Sequence, residues 1–294
     1  MSLLIESPLP NRTYRGKVRD TYDLGDRLLI VATDRISAFD AILPTGIPDK
    51  GKVLTQMSAW WFERTSEVVP NHFIRLADGT AADELPFELP RDMIGRTTIG
   101  RKAQRVDVEC IVRGYLAGSA WAEYEKWGTV NGVRLEKGMR ESEQLFEPMF
   151  TPTTKAEEGH DEPMTLSDLM QEVGPEAAQV LQLRSLALYR FAADYARERG
   201  IIIADTKFEF GWLDNELIVI DEILTPDSSR FWDAETYRPG ESQPSFDKQY
   251  VRDWLANSGW NKEPPPPELP PDVVRGTSER YAEAYRRLTG QEVR

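Results

Sequence analysis

The sequence predicts an α+β protein, on three observations. Strand-like segments dominate the first third of the chain, one long amphipathic helix stands near the middle, and a pair of apolar segments joined by Asp214-Asn215 follows it directly. The last feature is the pattern of a hairpin, so regular strand–helix–strand repetition is not the organising unit.

The elements follow in order. Residues 28–33 (LLIVAT) form a short apolar run, read as a buried strand. Residues 51–69 place Val53, Met57, Trp60 and Trp61 at helical spacing, and 106–112 (VDVECIV) alternate as a half-buried strand does. Residues 176–199 give the clearest helix, with Val180, Leu181, Leu188, Phe191 and Tyr195 on one face and Gly200 as the stop. Segments 201–210 and 216–223 are the strand pair. Ser245 is positioned to cap a helix bearing Tyr250, Val251, Trp254 and Leu255 that ends near Gly259. Residues 262–271 hold six prolines in ten and read as a stiff, extended linker, and 277–288 form a last helix with Tyr281, Tyr285 and Leu288 on one face.

Composition narrows the function. The 294 residues allow one large or two ordinary domains with a buried core. With 36 Lys+Arg against 49 Asp+Glu the net charge is -13, which argues against nucleic acid and anionic membranes as partners but leaves small anionic substrates open, because these feel local charge. One cysteine, Cys110, excludes an intramolecular disulfide and a thiolate zinc finger; two histidines exclude a three-histidine zinc site. The start lacks a signal-peptide pattern and no stretch approaches about 18 apolar residues, so the expectation is a soluble cytoplasmic protein.

Several segments carry candidate chemistry. Residues 46–53 match G-x-x-x-x-G-K, but Val53 stands where Ser or Thr must hold Mg²⁺ and Pro48 removes a backbone donor, so this is a loop entering a helix. Residues 15–20 (RGKVRD) put three positive charges in five positions; Gly16 allows close approach of a ligand, and Lys17 and Arg19 suit phosphate oxygens, the alternative being a solvated basic turn. In the strand pair, Asp205, Lys207 and Glu209 share one face. Pairing centred on Asp214 sets Lys207 opposite Asp221, whereas a two-residue turn shifts the register by one and sends Asp221 to the other face. The first register is favoured, because it clusters a lysine with carboxylates suited to Mg²⁺ and a phosphoryl group; the alternative is a surface hairpin with charge pairs. Segment 34–40 (DRISAFD) follows a strand, as ligand loops do, or forms an Asx turn. Arg113, followed by Gly118-Ser119, is an ion-pair anchor or an anion clamp. Arg230 in 225–232 is a second clamp or part of an ordinary loop, and 153–161 is a solvated loop or a substrate lid.

Taken together and in order, RGKVRD, DRISAFD, VECIVRGYLAGS, TPTTKAEEGHDE, DTKFEFG and IDEILTPDSSRFW make the chain from about Tyr14 to Trp254 resemble the SAICAR synthetase (phosphoribosylaminoimidazole-succinocarboxamide synthase) family of purine biosynthesis. The Pro-rich linker and last helix look like those of its longer members. The resemblance implies an ATP-grasp-related two-domain fold with the nucleotide cleft between a sheet-rich domain, 1–110, and a larger domain, 111–294. It implies an ATP-dependent ligase joining L-aspartate to 5-amino-1-(5-phosphoribosyl)imidazole-4-carboxylate, with Mg²⁺. Gly16, Lys17 and Arg19 then match the phosphate loop, Arg19 standing where some members have Lys. Lys207, Glu209 and Asp221 match the nucleotide and metal positions. Ser37, Asp40, Arg113, Ser119, Asp227 and Arg230 match those holding the imidazole nucleotide. Lys155, His160 and Asp161 fall in a loop near the reacting groups, with His160 or Asp161 as candidate base. Lys207 and Arg230 join these two as the residues expected to act on the reacting groups. Alternatives are a small-molecule kinase of the related fold and a non-catalytic nucleotide-binding module.

Overall fold

A computed structural model describes residues 3–155 and 161–294. The chain opens with β1 (Tyr14–Arg15), β2 (Arg19–Asp23) and β3 (Arg27–Ala32), then a small hairpin, β4 (Ser37–Ala38) and β5 (Ala41–Ile42), and helix α1 (Lys50–Arg64). Strands β6 (Phe73–Leu76) and β7 (Thr97–Arg101) complete a five-stranded antiparallel sheet in the order β1-β2-β3-β7-β6. Strand β3 is the apolar run expected at 28–33. Its Leu29 and Val31 are fully buried in a small core with Tyr22 and Ile99.

The second half follows: β8 (Gln104–Arg105), β9 (Val108–Tyr115), α2 (Ser119–Trp127), β10 (Thr129–Val130), β11 (Val133–Arg134), β12 (Gln144–Phe150), β13 (Thr153–Thr154), α3 (Leu166–Val173), α4 (Pro175–Arg197), β14 (Ile201–Leu213), β15 (Glu216–Ile220), β16 (Ser229–Asp233), α5 (Gln249–Asn257) and α6 (Pro271–Thr289). Among these, a seven-stranded antiparallel sheet is organised on β14, which pairs with β8, β9, β15 and β16. The fold is α+β, as the sequence predicts. Among the described residues no helix is long and apolar enough to cross a membrane.

The alternation on β14 sorts its side chains as expected. Phe208 and Phe210 enter the main core under α4, while Asp205, Lys207 and Glu209 take the opposite face. The stripe on α4 differs in detail. Leu181, Ser185, Leu188, Tyr189, Ala192 and Ala196 are buried, whereas Phe191 is exposed, because small residues let the helix lie close to the sheet.

Three other expectations are corrected. The hairpin uses a two-residue turn, with Leu213 opposite Glu216 and Glu209 opposite Ile220. Asp214 and Asn215 both have positive φ, the turn that matches the twist of paired strands, so the favoured register with Lys207 opposite Asp221 is not formed. Helix α5 is not capped by Ser245: the residue before it is Lys248, the Asp247 carboxylate accepts from the Gln249 amide at 2.7 Å, and Ser245 bridges to Trp232. Helix α6 starts at Pro271, earlier than expected, because proline at the first position needs no helical amide partner. The expected division at residue 110 falls inside β9, and the change of sheet comes between Arg101 and Gln104. Helix α1 also contributes Val53, Met57 and Trp61 to the larger core.

Candidate active site

A cleft of about 380 Å³ lies where the β4–β5 hairpin and the 15–20 loop face the polar side of β9, β14 and β16. Of the expected residues, Lys17, Ser37, Asp40, Arg113, Ser119, Asp161, Lys207, Asp227 and Arg230 line it. Gly16, Arg19, Lys155, Glu209 and Asp221 lie beside it, tied in by the contacts below. His160 falls outside the described residues.

The sheet register builds the first cluster. Asp205 on β14 stands opposite Arg113 on β9 and Arg230 on β16. Both guanidiniums reach its carboxylate, Arg113 at 3.3 Å, and Arg113 also donates to Thr151 at 3.0 Å and Ser119 at 3.1 Å. Two cations share one anion, so a positive charge is left over. Burial pulls Arg113 down from its ordinary value while Asp205 opposes that; at Arg230, Asp205 prevails and raises it. Gly118 is required here: a Cβ would lie 2.3 Å from the Arg230 guanidinium, and its φ is positive.

The second cluster surrounds Lys207, whose ammonium donates to Glu109 at 2.6 Å and Glu209 at 3.2 Å; Lys155 also pairs with Glu209. Burial alone would push Lys207 down, but the Glu209 and Glu109 carboxylates outweigh it and hold the lysine above its ordinary range. Burial would raise Glu209, yet Lys207, Lys155 and Arg19 draw it down to about 2. Glu109, where burial wins, is raised.

The third cluster crosses between the two sheets. Arg19 pairs with both Asp221 and Glu222, just beyond β15. Asp221 has φ 67, so the chain turns out of the ladder here, which brings this carboxylate to Arg19 despite the shifted register. Buried His72 stands 3.3 Å from the Asp221 carbonyl, which only accepts, so Nε2 donates. The 15–20 loop is shaped from beneath by Arg35, which donates to the Gly16 and Lys17 carbonyls and pairs with Asp20 at 2.8 Å. In DRISAFD, therefore, Asp34 and Arg35 are buried structural groups, and Ser37 and Asp40 face the cleft; Lys17 pairs with Asp40 at 2.6 Å. The G-x-x-x-x-G-K segment is a helix entrance, as expected: the Gly51 amide donates to Asp34 at 3.0 Å and Lys50 is wholly buried on Asp227.

Sequence reasoning placed Asp205 on the face of Lys207 and Glu209 without giving it a role, and did not select Lys50, Glu109, Glu222, Lys248 or Arg252 as site residues. Glu109 and Asp205 were visible as polar positions on strands, and Lys248 and Arg252 sit four apart on a helix face. Nothing local marks Lys50 as buried. Among the described residues no three acidic, His or Cys side chains converge as a ready metal cage. Glu209, paired with Lys155 and Lys207, and Asp221, paired with Arg19, are carboxylates of the donor type that Mg²⁺ takes, commonly one or two together with substrate phosphates.

The family model described as SAICAR synthetase matches residues 12–267. The phosphoribosylaminoimidazole-succinocarboxamide synthase of Thermodesulfovibrio yellowstonii is 53% identical over 278 residues, covering 94% of this chain and 94% of the relative. That of Rhodopirellula baltica is 50% identical over 305 aligned residues, covering 98% and 95%. Among solved structures, SAICAR-synthase from Saccharomyces cerevisiae complexed with SAICAR superimposes with a TM-score of 0.88 at 43% identity, over 99% of this chain and 98% of that one. A SAICAR synthetase (Type-2) in complex with ADP gives 0.71 at 25% identity, over 95% and 98%.

Proposed function

The chain belongs to the SAICAR synthetase family, and from that premise we propose how its residues divide the work of the reaction. The enzyme is an ATP-dependent carbon–nitrogen ligase of purine biosynthesis. It joins L-aspartate to 5-amino-1-(5-phosphoribosyl)imidazole-4-carboxylate, giving the succinocarboxamide, ADP and phosphate. A carboxylate does not react with an amine in neutral water, because its oxygen is a poor leaving group. The substrate carboxylate oxygen therefore attacks the γ-phosphorus of ATP and ADP leaves. The aspartate amine then attacks the acyl carbon, the carbon–oxygen bond breaks, and phosphate departs with that oxygen.

No protein nucleophile is needed; positioning and charge neutralisation suffice. The observation that carries this reading is the convergence in one cleft of the Arg113–Arg230 pair and of Lys207 between two carboxylates. Lys207 offsets charge on the transferring phosphoryl group. Gly16, Lys17 and Arg19 receive ATP phosphates, the loop being held in shape by Arg35. Arg113 and Arg230, with Ser119 and Ser37, take anionic and hydroxyl groups of the ribonucleotide. Lys155 steadies the reacting carboxyl region, and Asp161, on the cleft wall, is the described candidate to accept the amine proton. Glu209 and Asp221 would hold Mg²⁺, which neutralises phosphate charge when bound. The partners are thus small molecules, and the lone, buried Cys110 suits a reducing cytoplasm.

Purified protein given ATP, aspartate and the aminoimidazole carboxylate should yield a product with the mass of the succinocarboxamide and one phosphate per product. Phosphate release that ignores aspartate would overturn the assignment.

A further inference from the structure

Residues 3–9 run ahead of residue 12, where the family model's match begins, yet they bond to the groups that shape the 15–20 loop. These contacts are made by backbone. The Leu4 amide donates to Asp34 Oδ2 at 2.8 Å, and the Leu4 carbonyl accepts from the Asp34 amide at 2.7 Å. The Ile5 carbonyl accepts from Arg35 Nη1 at 2.6 Å, and the Ser7 amide donates to Asp20 Oδ2 at 2.9 Å. Leu4 and Leu9 anchor the segment in the small core of the first sheet. Arg35 and Asp20 are 2% and 0% exposed and pair with each other, so neither can turn to water for its remaining bonds. Residues 5 and 7 thus supply one partner to each member of this pair, an acceptor to the guanidinium and a donor to the carboxylate. The same guanidinium donates to the Gly16 and Lys17 carbonyls, at 3.0 and 3.2 Å. Within the turn, the Gly16 amide bonds to the Arg19 carbonyl at 2.7 Å and the Val18 carbonyl to Thr33, so Arg35 is what holds the carbonyls of Gly16 and Lys17. A buried charged group that loses a partner is costly, so lifting residues 4–7 would draw the pair towards water and release both carbonyls.

We propose that residues 4–7 are a positioning strap of the nucleotide site: they complete the buried Arg35–Asp20 pair that fixes the Gly16–Lys17 turn, and so preset that turn for ATP. The inference rests on the reading of 15–20 as the loop that receives ATP phosphates. The strap works through backbone amides and carbonyls, so it needs no sequence motif, and none marks it.

The test is amide hydrogen exchange of the full-length wild type with and without β,γ-imido-ATP and Mg²⁺, its binding checked by calorimetry. If strap and nucleotide are coupled, each stabilises the other. The bound analogue should slow exchange of the Leu4 and Ser7 amides about fivefold or more, together with the amides of 16–19, whereas aspartate alone should leave Leu4 and Ser7 within about twofold. A strap that only packs would exchange alike in all samples. Steady-state kinetics gives the second readout. Ser7→Pro removes the amide that Asp20 accepts and should raise KM for ATP about fivefold or more, with KM for aspartate within about twofold. Ser7→Ala keeps the amide, loses only the hydroxyl to which Tyr22 donates, and should bring KM for ATP back to within about twofold of wild type. Should Ser7→Pro fold poorly, the exchange measurement on the wild type decides alone. Protection of 16–19 without protection of Leu4 and Ser7 would overturn this inference and leave the loop reading standing. So would an unchanged KM for ATP in Ser7→Pro, or two KM values rising together. A bound analogue that leaves 16–19 unprotected would overturn the loop reading itself.

Discussion

At Lys207 two carboxylates, Glu109 and Glu209, outweigh the cost of burial, so the ammonium stays charged throughout the physiological range. Its replacement by Met should lower the rate of succinocarboxamide formation by roughly 10²-fold or more if electrostatic stabilisation is the mechanism. Near-normal turnover would remove Lys207 from the site. His72 behaves oppositely. Burial, with Arg19 and Arg101 adding, depresses it to about 3. The folded value lies below that of the unfolded chain, so proton uptake favours unfolding, and stability should fall as pH drops from about 6.5 toward 3, on the order of 4 kcal/mol over the full range. With two histidines in the chain, proton NMR of the folded protein should show one that does not titrate between about pH 8 and pH 5; two titrating histidines would contradict this burial. The face shared by Asp205, Lys207 and Glu209 was legible, because strand alternation is a local property. Lys50 and Lys248 were not, because a lysine at a helix start reads as surface charge until tertiary structure brings Asp227 and Tyr281 to it.

Among the elements, the β14–β15 hairpin shows how far local pattern reaches. Its existence and its turn residues were readable, but its register depended on whether the turn held two residues, and that choice decides which face Asp221 takes. The structure resolves it with paired positive φ at Asp214 and Asn215, and a further turn at Asp221 brings its carboxylate to Arg19. The entrance to α1 is a second case. A Cβ on Gly51 would lie 2.2 Å from the Ala32 carbonyl and 2.9 Å from the Arg96 guanidinium. Gly51→Ala should therefore push α1 off β3 and destabilise the fold by about 1–3 kcal/mol or more, read as a lower urea midpoint at unchanged slope. An unchanged midpoint would show that the helix approaches the sheet less closely than described. This glycine belonged to a motif resembling a phosphate loop; its cause is close packing, which a motif match cannot distinguish.

Across the whole molecule, an acidic chain concentrates its cations where two sheets meet. The net charge of -13 describes the surface, while Arg113, Arg230, Lys207, Lys248 and Arg252 converge on one cleft. Arg19, reaching from the first sheet to Asp221 and Glu222, ties the two halves across it. The α+β class was readable from the order of elements. The pairing of distant segments was not, since the contacts Lys50–Asp227 and Tyr281–Asp227 span much of the chain and leave no periodic trace. The cleft offers positive charge and positioning, which is what the acyl phosphate route proposed above requires. The most direct test uses aminoimidazole ribonucleotide labelled with oxygen-18 in its carboxylate, with mass analysis of the phosphate released during turnover with ATP and aspartate. The account predicts one labelled oxygen in every phosphate, transferred when the carboxylate attacks the γ-phosphorus; unlabelled phosphate alongside normal formation of the succinocarboxamide would contradict it.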